Sequence, residues 1–197
     1  YLFKIIKLQK MSSKLQKSVW EAGLTYGAIL GVVSVISSVI FYILGKSMSD
    51  ADKYVGMGII IVLLVYFLYL YRQEYMGGYV TYGRLIGIGV IIALVTGIIG
   101  ALYYFILVKW IDPSIQTLVD EQSLEKMLQQ MAKREMYPSQ SEIDAMMEQT
   151  KFFRSPGFIV IGTIFNFVLI GLILSLIAGI FIKKENKNPF AGVEETA

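Results

Sequence analysis

Charged side chains are missing from four long stretches of this chain: Ala22–Leu44, Val55–Tyr71, Leu85–Val108 and Phe158–Ile182. Apolar residues fall there in uninterrupted blocks, as they do when lipid is the solvent. A hydrocarbon layer of about 30 Å takes roughly 20 helical residues at about 1.5 Å each, so each stretch predicts one crossing helix. The second is the shortest; it crosses with little tilt or begins earlier, at Tyr54. Trp20 and Tyr42 flank the first span, and Tyr66, Tyr69, Tyr71 and Tyr75 gather at the far end of the second. Tyr103, Tyr104 and Trp110 mark the exit of the third, where interfacial aromatics are expected.

The connections differ in length and pattern. Gly45–Lys53 is a polar turn and Arg72–Arg84 a glycine- and tyrosine-rich return loop. Asp112-Pro113 ends the third span, because proline disfavours helical geometry in the residue before it. Between Pro113 and Pro156, Ile115, Leu118, Val119, Leu124, Met127, Leu128 and Met131 recur at helical spacing with charges between them. Pro138 interrupts the pattern, and Ser139 with Glu142 has the spacing of a capping box that opens a second helix through Ile143, Met146 and Met147. The expected architecture is an all-α membrane protein. It is a four-transmembrane-helix bundle with an extracytoplasmic amphipathic helical hairpin between spans 3 and 4. The apolar stripes of that hairpin must pack on each other, on the membrane surface or on a partner. The divisions are 1–21 (basic N-terminus), 22–112 (spans 1–3), 113–156 (hairpin), 157–184 (span 4) and 185–197 (tail).

Small residues recur inside the spans. Gly23, Gly27 and Gly31 share one stripe of the first, and Gly171, Ser175 and Gly179 one stripe of the fourth. Lipid gives helices no hydrophobic reason to associate, so close backbone approach at such stripes is the expected packing device. Thr25-Tyr26-Gly27 followed by Gly31 is echoed by Thr81-Tyr82-Gly83 followed by Gly87, which adds Gly83 and Gly87 as packing candidates. A true duplication would give two parallel two-helix halves. The loop Gly77–Gly83 lacks the Gly-Lys-Ser/Thr ending of a phosphate-binding P-loop and reads as a hinge that starts a helix.

Charge decides the orientation. The net charge of +3 is too small to imply nucleic acid. Lys4, Lys7, Lys10, Lys14, Lys17, Arg72, Arg84, Lys183, Lys184 and Lys187 fall on the side of both termini. Most acids, from Asp50 and Asp52 to Asp144 and Glu148, fall on the other, together with Lys109, Lys151 and Arg154. The excess of cations near span ends places both termini in the cytoplasm. The apolar run after the basic start is too long for a cleaved signal peptide, so a retained span is expected. Met11 is a candidate start, with Tyr1–Lys10 upstream of it.

The 197 residues include no Cys and no His, which removes disulfides, thiolate chemistry and imidazole bases or ligands. No Asp, Glu, Lys or Arg lies within the four spans, so the buried ionisable groups of pumps and proton-coupled carriers are missing. Asn166 is the one strongly polar side chain of the fourth span and reads first as an interhelical hydrogen-bonding group. Glu21 and Arg84, at span ends, are solvated or pair with each other or with Arg72 and Glu74. Met127, Met131, Met146 and Met147 suit an adaptable partner surface better than a copper(I) site, since no His or Cys joins them. Asp120, Glu121 and Glu125 read as a solvated helix face. No catalytic, cofactor-binding or metal-ligating residues are expected.

Arg72 after the second span, Gly77-Gly78-Tyr79-Val80-Thr81-Tyr82-Gly83, the Ile111-Asp112-Pro113 exit, the methionine-rich helix and the closing Lys183-Lys184 form a joint pattern. Over roughly Met11 to Pro189 it resembles a family of small four-span inner-membrane proteins of Bacteroidota, the domain of unknown function numbered forty-one ninety-nine. The resemblance implies an inner-membrane location with the hairpin in the periplasm, and it brings no catalytic residues or cofactors. The leading functional expectation is a non-enzymatic envelope component. Its hairpin and glycine-lined spans would mediate assembly in the bilayer, with a second copy or another envelope membrane protein. The alternative is a small transporter or channel of two parallel halves, with a path lined by Asn166, Thr96 and the glycines. A membrane enzyme ranks third, for want of paired carboxylates or a nucleophile and base.

Overall fold

The computed structural model describes residues 2–149, 152 and 155–184, with side chains described from residue 19 onward. The tail 185–197, Lys151, Arg154, Lys187 and the side chains of Lys4 to Lys17 lie outside the described residues. Six α-helices follow one another: α1 (Leu2–Ile43), α2 (Asp50–Leu70), α3 (Tyr82–Ile106), α4 (Ser114–Ala132), α5 (Gln140–Gln149) and α6 (Pro156–Ile182). α2 and α3 each continue into one π-helical turn, Tyr71–Tyr75 and Leu107–Ile111. Four stretches are apolar and long enough to span a membrane: Val19–Ile43, Asp50–Tyr75, Tyr82–Ile111 and Pro156–Ile182. The chain is an all-α membrane protein with four spans.

The second span outruns its charge-free stretch at both ends. Ser49 caps α2 by accepting the Asp52 N–H at 3.3 Å, and Asp50 and Asp52 then face the positive end of the helix dipole. Residues expected in a polar turn therefore begin the helix.

α3 is the centre of the bundle, gripped by α1 on one side and α6 on the other. Against α1, the stripe Gly23, Gly27 and Gly31 meets Ile91, Val95 and Ile99 in turn. A β-carbon on Gly27 would stand 2.9 Å from the Ile92 carbonyl oxygen, which is backbone and cannot give way. Against α6, Gly171 faces Ala93, Ser175 faces Gly89, and Gly179 carries the ring of Tyr82. α3 answers with its own small stripe, Gly89, Ala93 and Gly97, the last packed on Phe167 and Ile164. Both small-residue stripes of α1 and α6 are thus spent inside one chain.

Gly83 and Gly87 depart from the expectation. Both are exposed, and nothing lies within 4 Å of the β-carbon either would carry. The sequence echo aligns them with Gly27 and Gly31, but the helical phase of α3 turns the Gly89 stripe, not theirs, toward a neighbour.

α2 joins the bundle at one end only. Leu64, Phe67, Leu68 and Tyr71 enter the main buried cluster with Tyr26, Leu30, Leu85, Ile88 and Ile92. Between its first turn and Ile59 the helix is loosely packed: Tyr54 is 76% exposed, and nothing lies within 4 Å of a β-carbon on Gly56 or Gly58. At that end a second small cluster forms from Leu107, Val108 and Ile115.

α4 and α5 stand where the pattern puts them, separated by Pro138. Ile115 is the buried residue of α4, and α5 has none. α4 is tied down through Gln122, which donates to the Met48 carbonyl at 3.1 Å and accepts from Lys53 at 3.3 Å.

The seams predict a contrast between glycines. Gly27→Ala should cost about 1–3 kcal/mol by forcing α1 and α3 apart. Gly87→Ala, in open space, should leave stability unchanged or raise it by up to about 1 kcal/mol. Thermal melts in detergent followed by circular dichroism read both, and equal melting temperatures would refute a tight seam.

Candidate functional site

Polar groups in the described structure collect in three places: the end where α1 begins and α6 finishes, the opposite end beneath α4, and one outward point on α6. The first is a structural clasp. Gly77 and Gly78 adopt φ values of +58° and +86°, which side chains resist, and so turn the chain sharply after α2. Val80 then exchanges both backbone hydrogen bonds with Lys184, at 2.8 and 3.1 Å. Arg72 donates to the last helical carbonyl of α6, Ile182, at 3.0 Å, and lies 5.0 Å from the ring centre of Tyr69. Tyr82 donates to the Leu176 carbonyl at 3.0 Å.

Tyr26 belongs to the same end. Its ring stacks on Phe67 with centroids 4.8 Å apart, and its hydroxyl donates to Glu74 at 2.9 Å. Glu74 is thereby held by a tyrosine and not by an arginine. Arg84 donates to the Met76 sulfur at 3.2 Å. No ion pair joins Glu21, Arg72, Glu74 and Arg84, and the one ion pair among the described residues is Lys53–Asp50, at 3.5 Å.

At the opposite end, α1, the turn Ser47–Met48, the start of α2, α3 and α6 line a cavity of about 240 Å³ that Ile115 of α4 also borders. Ser34, Ser38, Ser47, Asp52 and Thr163 are among its lining residues, and Tyr103 and Tyr104 border it. The Ser34 hydroxyl is buried without a hydrogen-bond partner. Sequence reading passed over this place, because its polar groups come from five separate segments and none forms a motif. Where α3 gives way to α4, Asp112 accepts from the Tyr42 hydroxyl at 3.3 Å, from the Ser114 N–H at 3.0 Å and from the Ser114 hydroxyl.

The third place is Asn166. It is exposed on the outer face of α6, beside Gly162 in a shallow groove that also contains Phe158, Ile159, Thr163 and Phe167. No hydrogen bond reaches its carboxamide from the described residues. Thr96, the other polar group of the spans considered for a path, is buried in the α1–α3 seam, 2.8 Å from the Ile92 carbonyl oxygen and 3.1 Å from that of Gly27. The two therefore do not meet. Met127 and Met131 on α4 and Met146 and Met147 on α5 are half-buried.

Two carboxylates outside the spans have pKa values below the ordinary range. Asp112 is lowered first by the Ser114 hydroxyl, and Glu142 first by the Ser139 N–H, which donates at 2.7 Å. A folded-state pKa below the unfolded one adds stability above the unfolded value and loses it as pH falls through the folded one. Acidification below about pH 4, the ordinary carboxylate value, should therefore loosen α5 and the α3–α4 corner before the spans respond. Carboxyl carbon NMR titration reads this, with Ser139→Ala, which removes the hydroxyl but keeps the N–H, returning Glu142 only part of the way to its ordinary value. An unshifted Glu142 in the parent protein would refute the cap.

Residues 25–184 match the family described as Protein of unknown function (DUF4199). No curated protein and no solved structure matches the chain.

Proposed function

The chain belongs to the DUF4199 family of proteins of unknown function, and we propose that it serves in the inner membrane as a non-catalytic assembly component, pairing with a second copy of itself through the outer face of α6. The carrying observation is Asn166. α6 has 27 residues, and at about 1.5 Å per residue Asn166 lies roughly 15 Å from its start, near the middle of a bilayer. A carboxamide exposed to hydrocarbon loses the hydrogen bonds water would give it. It is donor and acceptor at once, so two copies related by a twofold axis satisfy each other reciprocally. Gly162, one turn away and with nothing within 4 Å, lets the second backbone approach.

The glycine stripes of α1 and α6 are engaged within the chain, so assembly draws on this outer face and on the half-buried methionine surfaces of α4 and α5. A transport path would need Thr96 and Asn166 on one wet surface, and their separation favours the assembly reading. In the proposed orientation the clasp end, with Arg72, Arg84, Lys183 and Lys184, lies in the cytoplasm, and α4 and α5 lie in the periplasm.

Interhelical hydrogen bonds in membranes contribute about 1–2 kcal/mol, so Asn166→Leu should weaken the dimer roughly five- to thirtyfold, with Asn166→Gln retaining it. Native mass spectrometry or single-molecule photobleaching in bilayers measures this. Parent protein that stays monomeric, or pairs only with a different envelope protein, would overturn the proposal. The orientation is tested separately by a single cysteine placed at position 122, which should react with an impermeant maleimide added outside spheroplasts. Labelling only after lysis would reverse it.

A further inference from the structure

The cavity beneath α4 shares Thr163 and Phe167 with the groove around Asn166 but does not include Asn166, and its chemistry is one-sided. The polar residues of its lining, apart from the two tyrosines, are Asp52, Ser34, Ser38, Ser47 and Thr163, and no Lys or Arg is among them. Asp52 accepts one bond, from the Met48 N–H at 3.2 Å. Its chain neighbour Lys53 is engaged elsewhere, by Asp50 at 3.5 Å and by Gln122 at 3.3 Å. No cation among the described residues forms an ion pair with Asp52.

Two further observations point to a ligand. The Ser34 hydroxyl is buried on the cavity wall with neither a donor nor an acceptor opposite it, although buried polar atoms ordinarily find partners. Tyr103 and Tyr104 border the cavity, and aromatic rings attract cations. The remaining wall, including Val35, Leu107 and Phe167, is apolar. Such a wall selects a guest that brings positive charge, hydrogen-bond donors and a short apolar body.

We propose that this cavity binds an organic ammonium group, seated against Asp52 and the two tyrosine rings, with its alkyl part on Val35, Leu107 and Phe167. A donor on the guest satisfies Ser34. The group can come from a free amine or from an aminolipid headgroup, since the cavity sits at the membrane-surface end of the spans.

The test uses the full chain in mild detergent, with n-butylammonium as probe and 1-butanol as its neutral isostere, followed by calorimetry. Saturable binding of the amine, absent for the alcohol and weakened at least about tenfold by Asp52→Asn, is the expected result. Ser38→Phe, which fills the cavity without touching the carboxylate, should also abolish binding while the helical circular-dichroism signal persists. In phosphatidylglycerol vesicles the amine should still bind. Its displacement on adding phosphatidylethanolamine would assign the site to a lipid headgroup, and undiminished binding to a free amine. Equal binding of 1-butanol, or amine binding unchanged in folded Asp52→Asn or Ser38→Phe protein, would overturn the proposal. The α6 pairing is read by a different measurement, the oligomeric state of parent and Asn166→Leu protein.

Discussion

Direct backbone approach on both flanks of α3 is the constraint from which the rest of the bundle follows. In lipid, burying leucine or isoleucine between helices gains little, because the surroundings are already apolar. What remains is dispersion, a few hydrogen bonds and the closeness that small residues allow. Gly27 beneath Val95 and Gly171 beneath Ala93 supply that closeness on opposite sides of one helix. Thr96 adds a hydroxyl shared with the Gly27 carbonyl, a contact open to it only because the backbones are so near.

A bundle centred on one helix need not be symmetrical, and this one is not. α3 is held on both sides, whereas α2 is held through Leu64, Phe67, Leu68 and Tyr71 and is free of the core near Tyr54. The consequence is a tight end and a loose end. The tight end carries the clasp of Arg72, Val80 and Lys184, and the loose end carries the cavity. The asymmetry also weighs against two equivalent halves. Gly27 and Gly31, buried in a seam, correspond in sequence to Gly83 and Gly87, which face open space.

The architecture was legible because it rests on composition over long windows. Charge-free stretches gave the four spans, and the Asp-Pro exit and the Ser139–Glu142 spacing gave the borders of α4 and α5. The packing stripes of α1 and α6 were legible from four-residue spacing. Their partner on α3, Gly89, Ala93 and Gly97, has the same spacing but lies on a different face from the echoed Gly83 and Gly87. Spacing identifies a stripe but does not give its azimuth. The cavity was not legible at all, since Ser34, Asp52, Tyr103 and Thr163 are brought together only by the packing of α1, α2, α3 and α6. Asn166 was noticed, but its outward direction is a property of packing, and no single helix contains that information.

The central position of α3 also bears on the order in which the chain can be built. Synthesis delivers α1, α2 and α3 first, and these can associate once all three are in the bilayer. The seam along Gly23, Gly27 and Gly31 needs nothing that comes later. The opposite flank of α3 has no occupant until α4, α5 and finally α6 have been made. During that interval Gly89, Ala93 and Gly97 form an open small-residue groove in lipid, shaped to receive a helix like α6. Neighbouring nascent chains would offer one another that helix, and the bonds between Val80 and Lys184 tie the end of α6 to the start of its own α3.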